Sequence, residues 1–145
     1  RTGILAARGL ATEPGDPRLE AALEHVFLAN TVPYKPPGNR AYGEPVKERF
    51  RPAMTALLMR HWRGNTVLTL GTEAFDWFAP YAPPGEAKAL WEAEDRYARW
   101  LECTLTCEGQ ERRVRVGPLP HPSPLNRAWS TRFPGLLAAR LAEIP

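Results

Sequence analysis

The sequence predicts an α/β fold: a three-layer sandwich in which helices cover both faces of a short, mainly parallel central sheet. Short apolar segments at residues 25–32 and 66–71 are typical of strands buried on both faces. An amphipathic segment at residues 44–62 separates them, as a strand–helix–strand unit requires. Because 43% of the 145 residues are hydrophobic, enough for one core, we predict a single domain over residues 1–145.

The first part of the chain leads into a proline-rich loop. Apolar residues among small ones predict helical segments at residues 1–10 and 18–24. Because Arg1 already lies in a helical pattern, we expect the chain to begin inside a longer protein. The strand at residues 25–32 is followed by three prolines and two glycines in residues 33–43, which predict an irregular loop. Loops after the carboxyl ends of strands carry function in open α/β folds.

The middle of the chain continues the alternation of strands and helices. Apolar residues at three- and four-residue steps predict a helix over residues 44–62, with Pro45 allowed in its first turn. After the strand at 66–71, Thr72 is expected to cap a helix that continues to Phe78. A break rich in proline and glycine at residues 80–85 then precedes a helical stretch from Glu86 to about Tyr97.

The last part of the chain predicts a hairpin, a loop and a closing helix. Residues 100–107 and 112–119 alternate in polarity around a turn at residues 108–110, which is typical of a β-hairpin. A proline-rich loop follows at residues 119–126, and an amphipathic helix is predicted over residues 129–144.

Composition narrows the class of function. Sixteen Arg and three Lys residues against 16 acidic residues give a formal net charge of +3, which permits a nucleic-acid partner without requiring one. Cys103 and Cys107 have no second pair to complete a four-thiolate site, so we predict reduced structural thiols. No apolar run is long enough to cross a membrane and no secretory leader opens the chain, so we expect a cytoplasmic protein.

The sharpest motif is P-H-P-S-P-L-N at residues 120–126, between a predicted strand and a predicted helix. Three prolines fix its backbone. Such a loop suits insertion into DNA, because it offers a hydroxyl at Ser123, an apolar wedge at Leu125 and an imidazole at His121. By itself, His121 is more simply interpreted as a structural histidine, and the loop around it favours the functional interpretation.

Residues 121–125 resemble the HPSP-type loop of the uracil-DNA glycosylase superfamily. Residues 27–40 are similar to the strand-end Asn and the K-x-R-P-P-x-N-R loop of its thermostable, iron–sulfur-containing branch. Residues 67–74 match the V-x-x-L-G-x-x-A pattern of the superfamily. The three segments follow one another in the family's order, which weighs more than any one of them.

The resemblance implies a role for each matching residue. Asn30 is expected to read the Watson–Crick edge of a flipped base, and His121 to bond its O2 and stabilise the anionic leaving group. Ser123 is expected to hold a phosphate and Leu125 to fill the vacated gap in the duplex. Three basic side chains are expected to contact backbone phosphates. These are Lys35, Arg40 and Arg127.

The chain also departs from the family pattern. Phe50 stands where the iron–sulfur branch has a Cys, so we predict no cluster. The superfamily's first motif, which positions the attacking water, is not recognisable before Asn30. We therefore expect either that it precedes Arg1 or that the protein lacks it.

We expect a monomeric DNA glycosylase that releases uracil or a related deaminated base from DNA in base excision repair, without a metal or organic cofactor. A non-catalytic DNA- or nucleotide-binding member of the superfamily is the alternative. A nucleotide-handling α/β enzyme is a third interpretation, but it predicts a glycine-rich phosphate loop after a strand, and the sequence has none. Taken alone, Asn30 is more simply interpreted as a strand-end cap, but its place beside the loop at residues 120–126 favours base reading. Lys35 and Arg40 are compatible both with solvated charges and with phosphate contacts.

Overall fold

The computed structural model describes residues 26–123 and 127–144, and the chain divides into two compact units. One unit comprises residues 29–118. The other contains, among the described residues, 26–28, 119–123 and 127–144. The predicted α/β class is confirmed, because the structure combines a mixed sheet with helices. The helices predicted at residues 1–10 and 18–24 lie outside the described residues.

The described helices and strands are α1 (Glu44–His61), β1 (Thr66–Leu70), α2 (Thr72–Asp76), α3 (Glu86–Glu92), β2 (Leu101–Cys107), β3 (Gln110–Leu119), α4 (Arg127–Ser130) and α5 (Phe133–Ala142). Short 3-10 turns lie at Pro37–Asn39, Ala79–Tyr81 and Arg96–Ala98. The predicted α1, β1 and β2–β3 hairpin are confirmed.

The sheet of the described residues has the strand order β1–β3–β2. β2 and β3 are antiparallel, in a register that runs from Leu101 opposite Val116 to Cys107 opposite Gln110. Glu108 and Gly109 both have positive φ, 51° and 77°, as a two-residue turn between twisted strands requires. The predicted hairpin is the part of the sheet that makes it mixed.

The core of the larger unit lies between this sheet and helices α1, α2 and α3. Alternate residues of β2 point into it, because successive side chains of a strand face opposite ways. Phe75, Leu105 and Val116 are fully buried at 0% exposure. The buried cluster comprises Met54, Phe75, Trp77, Phe78, Ala87, Leu90, Leu101, Cys103, Leu105, Val114 and Val116.

The strand predicted at residues 25–32 is wrong for the residues that the structure describes. Residues 26–30 have no regular structure and residues 31–34 form bends. An apolar run becomes a strand only when a neighbour takes its backbone hydrogen bonds, and the sheet of the described residues ends at β1 and β2. Phe27 and Leu28 are accordingly 41% and 56% exposed.

The start and end of α2 also differ from the prediction. Gly71, not Thr72, is the N-cap, and its φ of 88° and ψ of 172° favour glycine. The backbone N–H of Phe75 donates to the Gly71 carbonyl at 3.2 Å, so Thr72 is the first helical residue. The helix ends at Asp76 instead of Phe78, because the N–H of Phe78 bonds the Phe75 carbonyl in a tighter turn.

Helix α3 ends at Glu92, earlier than the expected Tyr97. Ala93 takes extended backbone angles, φ −68° and ψ 142°. The Arg96 guanidinium donates to the carbonyl of Trp91 at 2.9 Å and satisfies one of the acceptors that the helix end leaves open.

The closing helix predicted over residues 129–144 is two helices, α4 and α5, with a turn between them. Pro134 lies in the first turn of α5. Because proline lacks an N–H and its ring clashes with the carbonyl four residues earlier, a helix cannot run through this position undisturbed. Pro134 therefore favours a helix start over a helix interior, although α1 does accommodate Pro52 within its length.

Both cysteines are free thiols, as predicted. Cys103 is buried in the core, and its Sγ lies 3.8 Å from the Phe78 carbonyl oxygen. Burial, with the nearby charge of Glu102, raises the pKa of the Cys103 thiol to about 12. Within the described residues, no helix is long and apolar enough to cross a membrane.

Candidate nucleic-acid interface

The loop before α1 carries two of the predicted phosphate contacts. Lys35 and Arg40 are both exposed. The loop backbone is restrained, because the Tyr42 hydroxyl donates to the Lys35 carbonyl at 3.2 Å. Pro36 and Pro37 fix φ angles between the two basic residues. Both cations therefore stand on one restrained loop with their charged ends in solvent.

An aromatic contact ties the same loop to helix α1. The rings of Tyr34 and Phe50 lie edge to face, with centroids 5.6 Å apart and an interplanar angle of 61°. Phe50 is half-buried and packs against the core, whereas Tyr34 is 63% exposed. The sequence interpretation overlooked Tyr34, although an aromatic residue between a proline and a lysine in a loop was the available signal.

Asn30 precedes this loop and belongs to the same unit. It is exposed and lies in the irregular segment before the bends at residues 31–34. Its side-chain amide offers both a donor and an acceptor, which reading of a base edge requires. Because no strand forms here, the alternative of a strand-end cap is removed.

The second predicted group follows β3 and belongs to the other unit. Leu119 and Pro120 are buried at the end of the strand, and His121 is exposed directly after them. Ser123 is half-buried, and Leu125 lies outside the described residues. The imidazole of His121 is therefore exposed to solvent immediately after a strand end that is anchored by buried residues.

Helix α4 and the turn after it add basic and aromatic side chains to this second group. Arg127, its first residue, is exposed, and its carbonyl accepts a hydrogen bond from the Ser130 hydroxyl at 3.2 Å. The Arg132 guanidinium lies 5.6 Å from the centre of the Trp129 ring. His121, Ser123 and Arg127 thus share one unit, and Asn30, Lys35 and Arg40 share the other.

A buried ammonium group links α1 to α2 and was not anticipated. Lys47 is only 8% exposed, and its Nζ donates to carboxylates of Glu73 and Glu44, the latter at 3.3 Å. Burial opposes the charge of Lys47, but the bonds to Glu73 and Glu44 outweigh it and leave its pKa above the ordinary value. Glu73 therefore has a specific partner, beyond the favourable helix-dipole interaction expected from its place in α2.

Asp76, at the end of α2, is affected by the same group of charges. Burial, followed by the charge of Glu73, raises the pKa of its carboxyl. Within residues 26–123 and 127–144, no cluster of three or more His, Cys, Asp or Glu side chains could hold a metal ion.

One of the three comparisons with known proteins identifies a family. The model of the uracil DNA glycosylase superfamily matches residues 3–144. Neither the comparison with curated proteins nor the comparison with solved structures gives a match.

Proposed function

The chain belongs to the uracil-DNA glycosylase superfamily, and on that premise we propose that it hydrolyses the N-glycosidic bond of uracil or a related deaminated base in DNA. Membership supports a DNA glycosylase-like function in general. The observation that carries the proposal is the match over residues 3–144, which spans both loops that hold the candidate residues. The product is an abasic site, the first intermediate of base excision repair.

The reaction breaks the bond between the base nitrogen and C1′ of the sugar, and its electron pair leaves with the base. Water supplies a hydroxyl group to C1′ and a proton to the released base. Negative charge develops on the base, so a donor aimed at its O2 lowers the barrier. We assign that donor to the imidazole of His121, which is exposed directly after a buried strand end.

Recognition of the base is assigned to Asn30. The base must leave the stack before any side chain can reach its Watson–Crick edge. A side-chain amide can donate to one base group and accept from another, so it discriminates between bases of opposite hydrogen-bond pattern. The exposure of Asn30 supports this role, because its amide is accessible to a ligand.

DNA binding is assigned to side chains of both loops. Lys35 and Arg40, exposed on the loop before α1, and Arg127, exposed at the start of α4, would contact phosphates. Ser123 would hold a phosphate with its hydroxyl, and Leu125 would occupy the gap that the flipped base leaves. The protein would act as a monomer and without a cofactor, since hydrolysis of this bond needs neither a metal nor an organic group.

The test is release of free uracil from a uracil-containing oligonucleotide, detected by mass spectrometry. We expect release by the wild type and by Asn65→Ala, which changes an exposed asparagine beside β1. Asn30→Ala should lose most of it while retaining DNA binding. Equal release by Asn30→Ala and Asn65→Ala would remove the role of Asn30.

A non-catalytic DNA-binding member is the second candidate. It is favoured by the exposed cations Lys35, Arg40 and Arg127, which can bind phosphates without any catalytic group. In the same assay this candidate predicts salt-dependent binding of the oligonucleotide and no release of uracil, hypoxanthine or xanthine by the wild type.

A further inference from the structure

Tyr34 is the most exposed of the large hydrophobic side chains that the structure describes as exposed. Its exposure is 63%, and the next most exposed is Leu28 at 56%. A tyrosine ring carries a large apolar face that gains free energy when another flat surface covers it. The Tyr34 ring therefore has a face that a ligand can reach.

The Tyr34 ring is restrained although it is exposed. The Phe50 ring packs against it edge to face, with the two ring centroids 5.6 Å apart, and Phe50 itself packs against the core. Pro33 precedes Tyr34, and the Tyr42 hydroxyl holds the next carbonyl, that of Lys35, at 3.2 Å. A ring held in this way loses little conformational entropy when a flat ligand stacks on it.

The charges around Tyr34 indicate the chemistry of that ligand. Lys35 is its neighbour in the chain and Arg40 lies on the same loop, and both are exposed. An aromatic ring flanked by cations is the arrangement by which proteins bind single-stranded nucleic acid, with bases on the ring and phosphates on the cations. An apolar protein partner would not explain the cations.

We propose that Tyr34 is a stacking platform for an unpaired base of the bound DNA strand, and that Phe50 is the residue that positions its ring. The inference rests on the proposed action on DNA and adds a contact that is independent of base identity. It implies that the loop before α1 binds a DNA strand with unpaired bases more tightly than contacts to the phosphates of that strand alone would.

The experiment measures binding of a single-stranded oligonucleotide without uracil, so that no turnover is needed. Tyr34→Ala should weaken binding about tenfold, or ~1.4 kcal/mol, within the range for one base–aromatic stack. Tyr34→Phe keeps the ring and should bind like the wild type. Leu70→Ala, which removes another exposed apolar side chain of the same unit, is the control and should have no effect.

A second ligand separates stacking from phosphate contacts. On an oligonucleotide of equal length whose nucleotides are all abasic, Tyr34→Ala should bind like the wild type, because the phosphates remain and the bases are gone. Lys35→Ala should weaken binding to both oligonucleotides. An equal effect of Tyr34→Ala on both ligands, or no effect on either, overturns the stacking proposal.

The role of Phe50 has its own readout. With 2-aminopurine in the oligonucleotide, stacking on Tyr34 should quench its fluorescence on binding. Phe50→Leu should reduce that quenching while the protein stays folded. Phe50→Tyr, which keeps an aromatic ring, should quench like the wild type. Unchanged quenching in Phe50→Leu would remove the positioning role.

The outcomes also distinguish this inference from the proposed function. Tyr34-dependent binding without any base release retains the platform and refutes the glycosylase. Base release with binding that ignores Tyr34 retains the glycosylase and refutes the platform. A wild type that binds no DNA refutes both.

Discussion

Lys47 Nζ donates to the carboxylate of Glu73, and this ion pair joins the first turns of α1 and α2. The Lys47 side chain is 10% exposed and that of Glu73 is 63% exposed. Loss of the ion pair therefore costs more free energy at the buried ammonium group than at the carboxylate. A buried ammonium group without acceptors is costly, whereas an exposed carboxylate is hydrated. The pair therefore fixes the start of α1, the helix to which the Tyr34 loop is attached through Phe50.

Glu73→Ala should lower the free energy of unfolding by about 1–2 kcal/mol, because it leaves Lys47 buried with fewer acceptors. The measurement is urea denaturation at neutral pH. Glu86→Ala is the matched control, since Glu86 is an exposed acidic residue in the first turn of α3. Equal losses in the two variants would show that the Lys47 contact adds nothing to stability.

Arg112 should matter more for stability than its neighbour Arg113. Its guanidinium donates to the carbonyls of Leu58 at 3.3 Å and Met59 at 2.8 Å, and also to that of Trp62. The Met59 carbonyl lies in the last turn of α1, where backbone donors run out, whereas the Leu58 carbonyl also accepts the Trp62 N–H at 3.3 Å. We expect Arg112→Met to cost about 2–3 kcal/mol, since several charge-assisted bonds are lost.

Arg113→Met serves as the control, because Arg113 is exposed on the opposite face of β3. Urea denaturation of the two variants checks the prediction. A loss for Arg112→Met no larger than that for Arg113→Met would contradict it.

The two cysteines should differ in reactivity. Since the pKa of Cys103 is about 12 and its exposure is 3%, the reactive thiolate is scarce and inaccessible. Iodoacetamide at about pH 8 should therefore label Cys107 in the native protein, and Cys103 only after denaturation. Mass spectrometry of tryptic peptides reads the sites, and equal labelling rates in the native protein would contradict the burial of Cys103.

The raised pKa of Cys103 also predicts that the free energy of unfolding falls at alkaline pH. An unfolded chain loses the Cys103 proton near the ordinary pKa of 9.0, whereas the folded protein keeps it to about 12. Unfolding is therefore favoured increasingly as pH rises through this window. Urea denaturation at several pH values through this window should show a smaller loss of stability for Cys103→Ala than for the wild type, and equal losses would contradict the raised pKa.

Phosphate contacts by Lys35 and Arg40 should appear in the salt dependence of DNA binding. Each alanine variant should reduce the slope of log K against log salt by about 0.9 for duplex or about 0.7 for single-stranded DNA. Lys88→Ala is the control, because Lys88 is 81% exposed on α3 and pairs with Glu92 at 3.9 Å. A slope that matches the control would return Lys35 and Arg40 to the class of solvated charges.

Local patterns in the sequence were sufficient for α1, β1 and the hairpin. Their apolar spacing and turn residues act over a few positions, so the sequence alone determines them. The strand expected at residues 25–32 depended instead on a pairing partner, which an apolar run does not reveal. Pro134 favours the start of a new helix, and Arg96 binds a carbonyl at the end of α3; the predicted helices followed the apolar period and did not include these local effects.

The sequence indicates those candidate residues that belong to motifs. It does not indicate the contacts that form between distant parts of the chain. His121 and Asn30 are assigned from motifs that follow one another in family order, and their roles stay predictions. The pairing of Lys47 with Glu73, 26 positions apart, and the contact of Tyr34 with Phe50 arise only when α1 is packed. Neither relationship leaves a periodic signal in the sequence.

The most direct test of the glycosylase proposal is the single-turnover rate of uracil release by His121→Ala, with His61→Ala as control. Both histidines are exposed, so neither substitution should unfold the protein. The proposal predicts that His121→Ala loses about 100-fold or more in rate, as removal of one oxyanion donor does, with DNA affinity largely retained. Equal rates for the two variants, or no uracil release by the wild type, would contradict it.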